Sequence, residues 1–180
     1  MMQDISNPLS FTGKVTVKFG NDINTDYIIP AYLLQEAWKK SYFAEHAFER
    51  YDPSFVTKCQ GSNENIVVAG QNFGCGSSRE QAVYAIKYNN VKAVIAESFP
   101  DIFYRNSINN GFPALVVPNT SGLDVGDDLQ IDLKDLTIKK HGSDLELKIS
   151  MTKEDRQTLL TQDRIILVKE RLRKRLQVTA

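Results

Sequence analysis

The sequence predicts an α/β fold, with parallel strand–helix units followed by antiparallel β structure. Short β-branched runs at "NIVVAG" (65–70), "KAVIAES" (92–98) and "FPALVVP" (112–118) have the length and character of buried strands. Helical patterns fill the intervals, and a strand–helix–strand–helix–strand order implies a parallel sheet with right-handed crossovers. After the last run, "DDLQIDL" and "LTIKKHGSDLELKI" carry short strands and a turn at His141-Gly142-Ser143-Asp144, the marks of an antiparallel β appendage.

Taken in chain order, "KVTVKF" alternates Val15, Val17 and Phe19 against Lys14, Thr16 and Lys18, the pattern of a half-buried strand. "GNDINTDYIIP" follows as a polar, turn-rich segment, and residues 31–58 read as mainly helix with polar loops. The glycine loop after "NIVVAG" opens a helix from about Ser78 to Asn90, with Ala82, Val83 and Ile86 on one face. "PDIFYRNSINNG" is a helix with Pro100 in its first turn and Gly111 at its stop. "TKED" (152–155) resembles a capping box. The last helix, about Asp163 to Leu176, carries Ile165, Val168 and Leu172 at helical spacing. The chain is expected to form a single domain over 1–180, with its core at about 13–135 and a C-terminal helical region at about 152–177.

At 180 residues the chain can bury its own core. Its 22 basic and 22 acidic side chains create no overall field for nucleic acid or a membrane surface. The start, "MMQDISNPLSFTGK", lacks the basic segment and apolar run of a signal peptide, and nothing approaches the ~20 apolar residues of a membrane helix. Two cysteines, Cys59 and Cys75, make no disulfide framework, which points to a reducing cytoplasm. Together with His46 and His141 they are scattered without metal-ligand spacing, so this chain is expected to bind no metal itself. The basic run Lys169, Arg171, Arg173, Lys174, Arg175 reads as a solvated helix end.

The stretch that carries chemistry is "GQNFGCGSSREQA" (70–82). Gly74 and Gly76 let the backbone turn sharply and let a ligand approach. The following helix offers free N–H groups and a partial positive charge, and Arg79 adds a planar fork suited to a carboxylate or phosphate. A nucleotide P-loop is excluded, since no Lys-Ser/Thr follows the last glycine. The dinucleotide G-x-G-x-x-G fails because Arg79 stands where its third glycine is required, and a G-x-S-x-G elbow is absent. Without wider context, Gly74 and Gly76 make a turn and Ser77 or Ser78 caps the helix. Cys75, close to that helix start, is placed where thiol pKa values fall, yet it has no partner base and reads as a packed small residue.

The wider context is a resemblance. "NFGCGSSRE", with "NDINTDYIIP" upstream and "AESFPDIFYRNSINNGFP" downstream, resembles the small-subunit family of 3-isopropylmalate dehydratase, the detached swivelling domain of the aconitase superfamily. The likeness runs from Gly13 to Pro118 and fades beyond, where "GDDLQIDL" alone retains it. It implies the swivelling β/β/α fold and a hydro-lyase of leucine biosynthesis, active only with a large subunit that carries a [4Fe–4S] cluster. No cofactor is implied on this chain. Ser77 is then the catalytic base, acting as an alkoxide on the proton α to a carboxylate. Ser78 and Arg79 bind the dicarboxylate, and Thr25 and Asp26 line the same cleft, Asp26 as an orienter of Ser77 or Arg79. Phe103, Tyr104 and Asn106 match the third motif mainly as packing residues. In "YLLQ" (32–35) Leu34 falls at the substrate-selecting position, favouring an isopropyl group, when one residue is deleted; without the gap Gln35 stands there. Gln81 replaces the histidine usual in the motif. Related dehydratases (homoaconitase, citramalate or methylmalate types, a split aconitase) and a catalytically degenerate dicarboxylate- or partner-binding domain are the alternatives.

Overall fold

The computed structural model describes residues 10–35, 39–62 and 64–161. Four strands, β1 (Ser10–Lys18), β2 (Asn65–Val68), β3 (Val91–Ala96) and β4 (Ala114–Val116), run parallel. Three more, β5 (Asp128–Asp132), β6 (Thr137–Lys140) and β7 (Glu146–Lys148), continue the same sheet antiparallel from the free edge of β1. The order is β4-β3-β2-β1-β5-β6-β7. Just beyond β7, the Ser150 amide donates to the Val116 carbonyl at 2.8 Å, and this antiparallel bridge joins the last edge to the first. The antiparallel strands are therefore no appendage. They curl the sheet towards a barrel, with one bridge between its two outer ends.

The enclosed face holds Val15, Ile66, Val68, Ile95, Leu115, Leu129, Ile131 and Ile138 in one apolar cluster. The outer face of the parallel strands, with Val67, Val94 and Ala96, is covered by a second cluster drawn largely from the helices. Both faces of β2 are buried, which is why "NIVV" is a continuous apolar run rather than an alternation. In β1 the alternation misleads. The register slips between Val15 and Val17, so Val15 enters the barrel while Val17 and Phe19 join the helical side. Thr16, at the slip, donates to the Asn65 side-chain carbonyl of the neighbouring strand at 2.7 Å.

The helices are shorter than their sequence patterns. The described residues of 31–58 form a 3-10 turn, Ala31–Gln35, and part of the helical content expected there. Their α-helices, after α1 (Thr25–Ile28), are α2 (Lys40–Glu45) and the start of α3 (Phe55–Gln60). The helix expected from Ser78 begins two residues later, as α4 (Glu80–Lys87), and buries Ala82, Val83, Ala85 and Ile86. Helix α5 (Asp101–Asn109) follows Pro100, and Gly111 at φ 62° ends its terminal turn. Helix α6 (Lys153–Thr161) is capped as expected: the Asp155 amide donates to Thr152 Oγ1 at 3.1 Å, and Thr152 Oγ1 donates back to the Asp155 carboxylate at 2.8 Å. The helix expected at 163–176 and the basic run within it lie outside the described residues.

Candidate active site

Three loops leave the carboxyl ends of β1, β2 and β3 and meet at one edge. They are tied by hydrogen bonds that no local pattern specifies. Gln71 N–H donates to Asn21 Oδ1 at 2.9 Å, Asn72 Nδ2 to Asp22 Oδ1 at 2.8 Å, and Asn72 N–H to Ser98 Oγ at 2.8 Å. Gly74 and Cys75 N–H both donate to the Ile23 carbonyl, at 2.7 and 3.1 Å, and Thr25 N–H returns a bond to the Cys75 carbonyl at 2.7 Å. The two glycines are required by shape. Gly74 has φ +86° and a Cβ there would lie 2.3 Å from the Phe103 ring; Gly76 has φ +93° and a Cβ would lie 2.5 Å from Asn24 Oδ1.

The loop delivers its polar groups to a cleft of about 320 Å³ lined by Thr25, residues 76–79 of the loop with Gly74, and the start of α5 from Pro100 to Phe103. Ser77 and Ser78 are exposed there. Neither caps α4. Its N-cap position is Arg79, in extended backbone and without a side-chain cap, and Pro100 ahead of α5 provides none either. Among the described residues, the amides of Ser77, Ser78 and Arg79 and those of Asp101 and Ile102 donate to no protein acceptor. Two helix starts with unspent N–H groups thus border one cleft, an arrangement that favours an anion.

Arg79 is held by its surroundings. Its side chain is 10% exposed; Nη1 donates to Asp26 Oδ1 at 2.5 Å and to the Ile29 carbonyl at 3.0 Å. Nη2 lies 3.4 Å from Ser77 Oγ. Two fixed bonds on one nitrogen leave the N–H groups on the other side of the fork directed towards Ser77 and the cleft. Asp26 is thereby a partner of Arg79. Thr25, 1% exposed, donates from Oγ1 to the Ser77 carbonyl at 3.0 Å, so it fixes the backbone of the serine. Asn24 caps α1 by accepting from the Asp26 amide at 2.9 Å and fills the space above Gly76.

Leu34 is not brought to this cleft. It is half-buried against the helical-side core, and Gln35 beside it is exposed. The 3-10 turn that carries both is anchored at Tyr32, whose hydroxyl donates to Glu49, which also bonds His46 Nδ1 at 2.7 Å. Burial alone would raise the Glu49 carboxyl, but the bonds from Tyr32 and His46 outweigh it and hold it below the ordinary value. Gln81 lies in the first turn of α4, outside the cleft lining. Phe103 packs beneath Gly74 and stacks edge-on with Phe73 at 5.6 Å.

The thiol expectation is corrected. Burial, then the Asp22 carboxylate, raises the Cys75 pKa, because α4 starts five residues beyond it and the thiol lies inside the loop rather than at a helix terminus. Burial lifts Cys59 to about 11. Asn21, Asn72, Ser98 and Asp101 were not legible as site residues. The asparagines stand inside the motifs, but their partners are 50 residues away.

A model of the aconitase C-terminal domain matches residues 11–120, the span that contains every loop of this cleft. The chain belongs to the aconitase C-terminal domain family. Among the family's members it is 50% identical over 119 residues to a 3-isopropylmalate dehydratase small subunit of Saccharolobus islandicus, covering 66% of this chain and 70% of that one. A small subunit of the same name from Sulfurisphaera tokodaii is 50% identical over 123 residues, 68% of this chain and 71% of the relative. The crystal structure of a 3-isopropylmalate dehydratase from Methanocaldococcus jannaschii superposes with a TM-score of 0.81 at 37% identity, covering 94% of this chain and 98% of the other. That superposition reaches past the family match into the antiparallel half, so the wrapped sheet is shared even where the sequence likeness fades.

Proposed function

We propose that this chain is the small subunit of a two-subunit hydro-lyase that isomerises 2-isopropylmalate to 3-isopropylmalate in leucine biosynthesis. The observation that carries the reading is the placement of an exposed Ser77 hydroxyl 3.4 Å from a buried, anchored guanidinium, at the mouth of a cleft bordered by two uncapped helix starts. The family membership and the relatives' shared name support it.

A serine hydroxyl is a weak base in water, and three features of this chain strengthen it. Arg79 Nη2 is close enough to form a charge-assisted bond once Ser77 gives up its proton. The start of α4 adds positive potential. Closure of a partner over the cleft excludes water, which strengthens both. Ser77, as the alkoxide, then takes the proton from the carbon α to a carboxylate, and the hydroxyl on the neighbouring carbon takes up the proton that Ser77 had given up and leaves as water. The product is an unsaturated diacid. Readdition of water, with hydroxyl and hydrogen exchanged between the two carbons, gives the isomer. Arg79 and the free amides at Ser77 and Ser78 hold a substrate carboxylate, while Thr25 and Asp26 keep the serine and the arginine in place.

Among the described residues no group of histidine, cysteine and acidic side chains is suited to a metal ion, and Cys75 and Cys59 stand in separate surroundings. In this reading a [4Fe–4S] cluster on the large subunit would supply Lewis-acid chemistry to the substrate hydroxyl. No described helix is long and apolar enough to cross a membrane.

The test is turnover in a mixture of this chain and a matched large subunit with intact cluster, comparing 2-isopropylmalate, citrate, homocitrate and citramalate. Preference for 2-isopropylmalate supports the reading. Preference for another acid keeps the chemistry and changes the substrate. Stable assembly with no turnover of any acid would mean a binding domain.

A further inference from the structure

The amino ends of the parallel strands carry a second hollow that shares no residue with the Ser77 cleft. It measures about 250 Å³, and its apolar walls are Phe11 of β1, Val91 of β3, and Phe112 and Pro113 ahead of β4. Two lysines border it, and they differ. Lys92 is paired with the Glu64 carboxylate at 2.9 Å. Lys87 donates to the neutral carbonyl of Asn110 at 2.6 Å and has no carboxylate partner among the described residues. Burial lowers the Lys87 pKa, and the nearby Lys40 ammonium lowers it further. Among the described residues this half-buried cation has a like charge for a neighbour, apolar walls beside it and no carboxylate within ion-pair distance.

We propose that this hollow binds a small monocarboxylate with an apolar body, its carboxylate on Lys87 and its hydrocarbon against Phe11, Val91, Phe112 and Pro113. A carboxylate supplies the ammonium with a counter-charge, and the hydrocarbon packs against the half-buried Phe11 ring and the edges of Val91, Phe112 and Pro113. Phosphate satisfies only the first need, and a neutral alcohol only the second.

The full chain, labelled with nitrogen-15, is titrated with isocaproate, 3-methylbutanol and acetate while backbone amides are followed. Isocaproate is expected to give saturable shifts centred on Lys87, Val91 and Phe112, with a Kd about tenfold or more below that of either other probe. Lys87→Met, which keeps the aliphatic stem and loses the charge, is expected to raise that Kd about tenfold, whereas Lys92→Met changes it by no more than about threefold. Ser77→Ala leaves it unaltered, so failure of the cleft reading and failure of this one are separable. Should Lys87→Met fold poorly, the carbon-13 titration of the Lys87 ε-methylene in the wild type decides: bound isocaproate raises its pKa. Equal shifts with acetate, no saturable shift with isocaproate, an unmoved Lys87 titration, or wild-type affinity in a folded Lys87→Met would each overturn the inference.

Discussion

The loops at the carboxyl ends of β1–β3 and the turns of the antiparallel half solve the same problem in opposite ways. In the antiparallel half the turns lean chiefly on side chains of their own. The Asp132 side chain accepts from Lys134 and Asp135 N–H at 2.8 and 2.9 Å, Ser143 accepts from Leu145, and Asn119 from Ser121. At the cleft the loops satisfy one another, through pairs 50 to 53 residues apart such as Gln71–Asn21, Thr25–Ser77 and Arg79–Asp26. Self-contained turns leave nothing over for a ligand. Mutually braced loops fix a strained backbone and still leave the N–H groups at two helix starts unspent, which is the condition for binding an anion there.

Glycine replacements separate the two regimes most strongly. Gly74→Ala must relieve both φ +86° and a 2.3 Å approach to Phe103, and its expected cost is about 3 kcal/mol or more. Gly142→Ala, at φ +71° in the antiparallel half, meets open space and should cost about 1 kcal/mol. Chemical denaturation of both variants measures the gap, and equal costs would remove the contrast.

A charge replacement comes next. Asp26→Asn deprives the 10% exposed Arg79 of its carboxylate but leaves the Ile29 carbonyl. With Asp26 itself half exposed, about 1 kcal/mol of stability should go, while turnover with the large subunit falls about tenfold because the fork is no longer aimed. A turnover loss no larger than that of Lys140→Met would show that the aim of Arg79 does not matter.

The smallest effect lies in the antiparallel half. The Lys140 ammonium, 2.7 Å from Asp127, donates the hydrogen bond that chiefly holds this carboxyl below its ordinary value of 3.8. A carboxyl lowered in the folded state binds fewer protons there than in the unfolded chain. Its stabilisation is complete above pH 3.8 and is lost as pH falls through the lower folded value. Lys140→Met should cost about 0.5 kcal/mol near neutrality, flatten the acid limb of the stability curve, and leave turnover unchanged.

The same contrast decides what the sequence could tell. Strands β2 and β3, the bounds of α5 and the cap of α6 were legible because their causes are local: β-branched runs, Pro100, Gly111 and the Thr152–Asp155 box. The slip that sends Val15 and Val17 to opposite faces was not, since alternation in β1 carries no trace of Asn65, 49 residues on from Thr16. Closure of the sheet through Ser150 and Val116 was equally invisible. At the cleft, the glycines, serines and arginine announced an anion site. That Thr25 acts through the Ser77 backbone, that Asp26 orients Arg79 rather than Ser77, and that Leu34 turns to the core depend on loops meeting in space.

In the proposed reaction the braced loop presents Ser77 to the substrate as the base. Turnover of 2-isopropylmalate in the reconstituted two-subunit enzyme carrying Ser77→Ala decides whether it does. The side chain is exposed and makes one long bond, from Arg79 at 3.4 Å, so large-subunit binding and thermal stability should stay near wild-type levels. Turnover should fall by about 10²–10⁴-fold, the usual contribution of a positioned proton-transfer group. Assembled enzyme that keeps wild-type turnover without the serine hydroxyl would show that Ser77 is not the base.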